Sequence, residues 1–441
     1  MNLIRLRQYF PNAGRWLGSW LVCTTFIITE NMAEEFRAIT EEAEVPAYTL
    51  PDLLEPHAPV GGEAFQQYWA GRRQSLLESF TTHVYGSYPS RPFQLVTEKQ
   101  EAGPTLEGRA LRQQFRVMLK TEHGSLPIDL VVFSPASAER PVPCFLSLNF
   151  TGNHTVAADP EIPVTQNWMR NDKAKGIDDH RAKPEHRGQA ASRWPIAMAI
   201  EAGCAVATAY YGDIDPDFDD GFQNGVHALF PEHRASAEHP ERWGSIAAWA
   251  WGLSRLYDCL ATSVPQVDSR RVAVLGHSRL GKAALWAGAT DQRFAAVISN
   301  DSGCGGAALS KRIFGETVGR INDSFPHWFC PNFRQYSLHE SRLPIDQHQL
   351  LALMAPRPLY VASASEDLWA DPRGEFLAIH GAQPVYQRLG FPALGFHDLP
   401  EPGAATIGRV SYHLRAGKHD IDAWDWEHYL QMVAAELPAS P

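Results

Sequence analysis

No stretch of this 441-residue chain reaches the ~18 consecutive apolar residues that a membrane span needs. Cysteine is scarce: six in all, with none in a C-x-x-C pair, which excludes the common zinc and thiol-redox sites. No long basic run occurs and the formal net charge is -11, so nucleic acid is not an expected partner. Internal repeats are missing as well. The crowded Asp213, Asp215, Asp217, Asp219 and Asp220 invite a calcium test, and they fail it. An EF-hand loop needs Gly at its sixth position and Glu at its twelfth. Counting from Asp213 gives Phe218 and Asn224; counting from Asp215 gives Asp220 and Val226. The segment reads as a polar loop after a strand, and no metal site is expected.

What is present suits a large enzyme. Hydrophobic residues make up 44% of the chain, enough for a sizeable core. Arg5, Arg7 and Arg15 precede the apolar run Trp16 to Ile28, a pattern similar to a secretory signal. Against it stand the early Pro11-Asn12-Ala13-Gly14 break, the lack of a clean A-x-A site, and Met32 as a rival start. Residues 1–32 are therefore expected to be a leader, the protein secreted or periplasmic, and residues 33–441 one catalytic domain. Cys144, Cys204 and Cys259 lie in apolar runs and read as core residues. Cys304 and Cys330 lie in loop-like sequence and are candidates to pair if the protein is exported.

The element pattern changes along the chain. Glu63 to Ser79 predicts a helix. Leu111 to Leu119 and Ile128 to Phe133 flank a turn at Gly124 and predict an antiparallel pair. Strands are then predicted at Phe145–Leu148, Cys204–Thr208, Val272–Leu275, Ala295–Ile298, Leu359–Ala362 and Arg409–Leu414. Helices are predicted at Ser192–Glu201, with Ser192 as N-cap, at Ile246–Leu260, at Asp371–Leu389 with a break or kink at Pro384, and at Ala423–Leu437. Antiparallel strands followed by β-α alternation predict a mostly parallel sheet sandwiched by helices, a three-layer α/β/α architecture. Two long polar segments, near 152–189 and 303–341, interrupt the pattern and are expected to wall a substrate site.

The stretch Val274 to Lys282, VLGHSRLGK, carries the chemistry. A β-branched run stops at Gly276, Ser278 follows, and a helix-like run begins: the nucleophile-elbow arrangement of α/β-hydrolases. It places a hydroxyl on a tight turn beside helix N-terminal amides that stabilise an oxyanion. The second glycine of G-x-S-x-G is displaced by one, with Leu280 in its place and Gly281 after it. In α/β-hydrolases the chain order is serine, acid, histidine. His419 fits the base best, lying past a strand and before the last helix. Asp301 and Asp367 both follow strands and compete as the acid, with Glu366 a weaker rival; this choice stays open. Arg279 and Lys282 flank the elbow. They suit a substrate carrying negative charge, strong oxyanion stabilisation, or a substrate with many hydroxyls; the bland alternative is a carboxylate partner for Arg279 and an exposed Lys282.

Gly276-His277-Ser278-Arg279-Leu280-Gly281-Lys282 fits the G-x-S-R-x-G-K signature of glucuronoyl esterases, carbohydrate esterase family 15. Ser299 to Gly306 resembles the family's acid-bearing loop, and Leu148 to Thr155 resembles the loop beside the oxyanion hole in bacterial members. Tyr211–Asp217, Phe325–Phe329, Leu343–His348 and Trp369–Pro372 resemble bacterial members too, so the likeness runs from about residue 50 to 435. The resemblance implies an α/β-hydrolase that cleaves 4-O-methyl-glucuronoyl esters between glucuronoxylan and lignin alcohols, with no cofactor and as a monomer. It implies Ser278 as nucleophile, His419 as base, and Arg279 on the oxyanion. It implies Lys282, Glu316, Trp369, Gln347 and His348 around the substrate. Two departures stand out. Asp301 occupies a loop that usually carries Glu, which raises the claim of Asp367. His277 replaces the fungal cysteine before the serine, which removes the fungal disulfide. The rival functions are an acetyl xylan esterase or broad carboxylesterase, and a non-catalytic carbohydrate-binding protein on a hydrolase fold.

Overall fold

In the computed structural model, which describes residues 37–438, ten strands form one sheet. They are β1 (Gln94–Thr105), β2 (Ala110–Thr121), β3 (Gly124–Pro135), β4 (Val142–Asn149), β5 (Ala205–Tyr210), β6 (Val267–His277), β7 (Ala296–Asn300), β8 (Leu359–Ala364), β9 (Ala404–Thr406) and β10 (Val410–Arg415). The helices are α1 (Gly62–Phe80), α2 (Ile196–Glu201), α3 (Tyr211–Ile214), α4 (Ser245–Ser263), α5 (Arg279–Thr290), α6 (Val318–Ser324), α7 (Gln347–Ala352), α8 (Pro372–Arg388) and α9 (Ala423–Glu436). The leader expected over residues 1–32 lies outside the described residues. From Ala38 onward the chain forms one unit.

The strand order is β1-β2-β3-β5-β4-β6-β7-β8-β10-β9. The first three strands join the sheet as antiparallel pairs, and β5 through β10 are linked by parallel pairings, with β9 antiparallel at the far edge. This is the expected mostly parallel α/β-hydrolase sheet. Alternation along the central strands assigns their faces. Leu146 of β4, Val274 of β6 and Val297 of β7 are in register and enter the larger core with Trp249 of α4 and Leu285 of α5. Phe145, Ala273 and Ala296, one residue earlier on each strand, enter the opposite core with Trp426, Tyr429 and Val433 of α9. A strand covered on both faces is apolar along most of its buried length, as Phe145–Leu146, Val272–Leu275 and Ala296–Ile298 are, with Ser147, Ser299 and Asn300 as buried polar exceptions. Burying each large side chain there stabilises the fold by about 2–3 kcal/mol.

Some expectations fail for local reasons. β1 is unforeseen because QLVTEKQEAGPT is charged and lacks alternation; it is an edge strand, decided by its pairing with β2. Ser192 is not an N-cap: α2 begins at Ile196, after a separate 3-10 turn at Ala191–Arg193. Pro195 biases the residue before it away from helical backbone, and Trp194 sits at ψ 72°. Pro384 does not end α8, which continues to Arg388. The buried residues Val385 and Tyr386 beyond it hold the helix together where local propensity would stop it. Cys304 and Cys330 do not pair; both are free and buried. Among the described residues no helix is long and apolar enough to cross a membrane.

Candidate active site

Each candidate group hangs from the carboxyl end of a parallel strand, where open α/β sheets bind their ligands. Ser278 follows β6, Asp301 follows β7, Asp367 follows β8 and His419 follows β10. Ser278 holds φ 58° and ψ -132°, a conformation an L-residue adopts only when its surroundings enforce it. They do so through its backbone: Ser278 N–H donates to the Asn300 carbonyl at 2.9 Å, and its own carbonyl accepts from Gly281 N–H at 2.9 Å. The displaced glycine now has a reason. A Cβ on Gly276 would lie 2.0 Å from the Leu280 carbonyl oxygen, and one on Gly281 would lie 2.9 Å from Ser302 Cβ. Leu280 itself is 1% exposed and belongs to the core.

Ser278, His277, Arg279 and His419 line one cleft of about 580 Å³ with Phe150, Thr151 and Tyr211. Arg170 to Lys175 from the first long polar segment form its far wall. His419 Nδ1 donates to Asp367 Oδ2 at 2.5 Å. Asp301 does not touch the imidazole. Its Oδ1 accepts from Ala364 N–H at 2.7 Å, and Arg415 Nη2 lies 3.9 Å from its Oδ2. Burial, with Glu375, Asp367 and Asp425 nearby, pushes the Asp301 carboxyl well above the usual carboxylate range. Glu366 is exposed. One ligand-type atom from each of Asp301, Asp367 and His419 lies within 4.8 Å of the others. Those donors suit a metal ion, but His419 Nδ1 is already committed to Asp367. No hydrogen bond joins Ser278 Oγ to His419 among the described residues; such bonds often tighten only with substrate.

The two flanking cations have opposite fates. Arg279 pairs through Nη1 with Asp217, as the bland alternative had it. Asp217 also accepts from His327 Nε2 at 2.9 Å, Trp328 Nε1 at 2.7 Å and Tyr211 OH at 3.1 Å. Burial opposes charge on Asp217, yet these donors and Arg279 hold its carboxyl below the usual range. The guanidinium lies 4.9 Å over the Trp328 ring. Lys282, by contrast, is not exposed. It is 4% accessible, and its Nζ donates to the Ser302 carbonyl at 2.5 Å with Glu316 Oε2 at 3.9 Å. Burial lowers the pKa of Lys282 and raises that of Glu316, while the pair's mutual attraction opposes both shifts. Trp369 hydrogen-bonds Glu316 and, at 45% exposed, is one of the few exposed large apolar residues described.

Residues 196–390 match the family model described as "Glucuronyl esterase, fungi". A carbohydrate esterase from an unknown prokaryotic organism is 48% identical over 393 residues, covering 89% of this chain and 90% of its own. A promiscuous esterase of carbohydrate esterase family 15 from a marine bacterial metagenome superposes with TM-score 0.83 at 46% identity, over 91% of this chain and 100% of the other. A glucuronoyl esterase from Solibacter usitatus does so with TM-score 0.82 at 42% identity, over 90% and 100%. The chain belongs to carbohydrate esterase family 15, the glucuronoyl esterases. It is a carboxylic ester hydrolase.

Two residues named from the family resemblance lie elsewhere in this esterase. Gln347 is 1% exposed and donates to the Gly306 carbonyl at 2.5 Å, so it braces the loop after β7. His348 bonds the Pro51 carbonyl at 3.0 Å and packs against Gly381. Neither lines the cleft that holds Ser278, and Lys282, Glu316 and Trp369 lie outside that lining as well. Gln347 and His348 open α7, whose first residues are buried on all sides. Asp217 is the residue that sequence reasoning passed over. It lay in the polar loop tested for calcium, and only an arginine without an assigned partner next to the serine signalled that a carboxylate was required.

Proposed function

We propose that this esterase hydrolyses 4-O-methyl-glucuronoyl esters that join glucuronoxylan to lignin alcohols. The observation that carries the reading is the meeting of three strand ends. A serine on a strained elbow and a histidine whose Nδ1 is committed to a buried aspartate share one cleft. Ser278 Oγ attacks the C6 carbonyl of the uronate. His419 takes its proton through Nε2 and returns it to the leaving alcohol. Asp367 fixes the tautomer and stabilises the imidazolium. The amides at the start of α5, with Arg279, face the developing oxyanion. Water then releases the acid from Ser278.

Lys282, Glu316 and Trp369 support a sugar-sized acyl group. An acetyl group has no hydroxyls for a buried cation and carboxyl to bind, and no ring to lie on an indole. Export to the periplasm or beyond fits the basic-then-apolar run before residue 32 and a polymer found outside cells. Turnover of benzyl glucuronate against p-nitrophenyl acetate tests the assignment. Faster uronate cleavage, abolished in Ser278→Ala, is expected. Acetate hydrolysis faster by several orders would favour the broad carboxylesterase, and full uronate activity in Ser278→Ala would remove the nucleophile.

A further inference from the structure

His277 precedes the nucleophile, lines the same cleft, and has its ring centroid 4.6 Å from that of His419. It is 6% exposed, and a buried polar chain fixes its tautomer. Asn300 Nδ2 donates to Tyr429 OH at 3.0 Å and points at Asp425 Oδ1 at 3.4 Å. Asp425 is held in turn by His413 Nε2 at 2.8 Å and Arg415 Nε at 3.0 Å. A carboxylate accepts only, so the Asn300 amide nitrogen belongs on that side and its oxygen faces His277. His277 Nδ1 lies 2.5 Å from that oxygen and must carry the hydrogen. Burial, reinforced by His419, lowers the pKa of His277 well below the ordinary histidine value, so the ring is neutral. Nε2 is then a bare acceptor. With Nδ1 turned inward to Asn300, the edge carrying Nε2 is the part left to the cleft, and it has no partner among the described residues.

We infer that His277 Nε2 positions the water that cleaves the acyl-enzyme, accepting one of its hydrogens while His419 takes the other. This rests on the acyl-enzyme mechanism proposed above. The water oxygen bonds to the acyl carbon, one proton passes to His419 Nε2, and the Ser278 Oγ–C bond breaks as that proton returns to Oγ. The second hydrogen stays on the product acid throughout. A water held at two points presents its lone pair to the carbon; one held only by His419 rotates.

Methanol distinguishes the two situations, because its single hydroxyl hydrogen must go to His419 and none remains for His277. With benzyl glucuronate as substrate and methanol added, the ratio of methyl glucuronate to free glucuronate measures how the acyl-enzyme partitions. His277→Asn keeps an amide where Nδ1 was and removes the group at Nε2; His277→Gln keeps a polar atom near Nε2. The ratio is expected to rise about 3- to 10-fold in His277→Asn, the size of one ordinary hydrogen bond. It is expected to fall back toward the parent value in His277→Gln. Damage to the elbow alone would slow both products equally, so an unchanged ratio in His277→Asn overturns the role. If the parent forms no methyl ester, there is no acyl-enzyme to intercept, and the serine mechanism falls together with this role.

Discussion

Asp367, and not Asp301, holds the His419 imidazole: Nδ1 to Oδ2 is 2.5 Å. Asp301 spends Oδ1 on the Ala364 amide and so ties the end of β7 to the end of β8. Asp367→Asn is expected to lower kcat by about 10³- to 10⁴-fold, as loss of the orienting carboxylate does in serine hydrolases. Asp301→Asn, which alters a backbone hydrogen bond, is expected to cost about tenfold at most. Rates at saturating benzyl glucuronate check the order, and a larger loss in Asp301→Asn would reverse the assignment.

Arg279 owes its position to Asp217. Asp217→Asn leaves a largely buried guanidinium without its counter-charge, for a loss of about 3 kcal/mol in urea denaturation. Adding Arg279→Met should restore most of that stability, because the buried cation is gone and Arg170, the other cation 3.5 Å from Asp217, is half-exposed, while activity stays low. Stability that does not recover in the double variant would show that Asp217 acts through His327 and Trp328 instead.

Trp369 and Lys282 should separate substrates rather than steps. Trp369→Ala is expected to weaken benzyl glucuronate turnover by about tenfold or more in kcat/KM, the worth of a lost apolar ring face. Hydrolysis of p-nitrophenyl acetate should change little. Lys282→Met should act in the same direction. Equal losses on both esters would place these side chains in the elbow's stability and not in sugar recognition.

Glu375 makes stability fall as pH rises. It is fully buried, accepting from Ser302 N–H at 2.8 Å, Gly303 N–H at 2.9 Å and Ser363 Oγ at 2.6 Å. Burial pushes its carboxyl from 4.5 up to about 8. Between those values the folded chain holds a proton that the unfolded chain has released, so its contribution is complete below pH 4.5 and is lost as pH passes 8. Asp213, pushed up to about 7 by burial, contributes with the same sign. Buried histidines such as His154 and His348, lowered from 6.5 to about 4, act with the opposite sign below pH 6.5, so the test is a difference: from pH 5 to pH 8, Tm should drop less in Glu375→Gln than in the parent. An equal drop in the variant would assign the slope to other groups.

Much of this was written locally. The central strands were legible because both their faces are buried, and an unbroken apolar run has few alternatives. The elbow was legible because strand, glycine, serine and helix are adjacent in the chain. β1 was not, because an edge strand draws its identity from β2 and not from its own residues. Gln347 and His348 resembled pocket residues by position, but the packing of α7 against Pro51 and Gly306 turned them inward.

The chain by itself offered Ser278 as candidate nucleophile, His419 as candidate base, two possible acids and an arginine in need of a partner. Residue type and order along consecutive strands suffice for that. Only the tertiary structure chose Asp367 over Asp301 and found Asp217 for Arg279. Both choices depend on which carboxylate the sheet's register and the long loops bring within hydrogen-bonding distance. Asp367 and His419 are 52 residues apart in the chain, and Arg279 and Asp217 are 62 apart. Contact across such distances in sequence is a property of packing, and no local pattern records it.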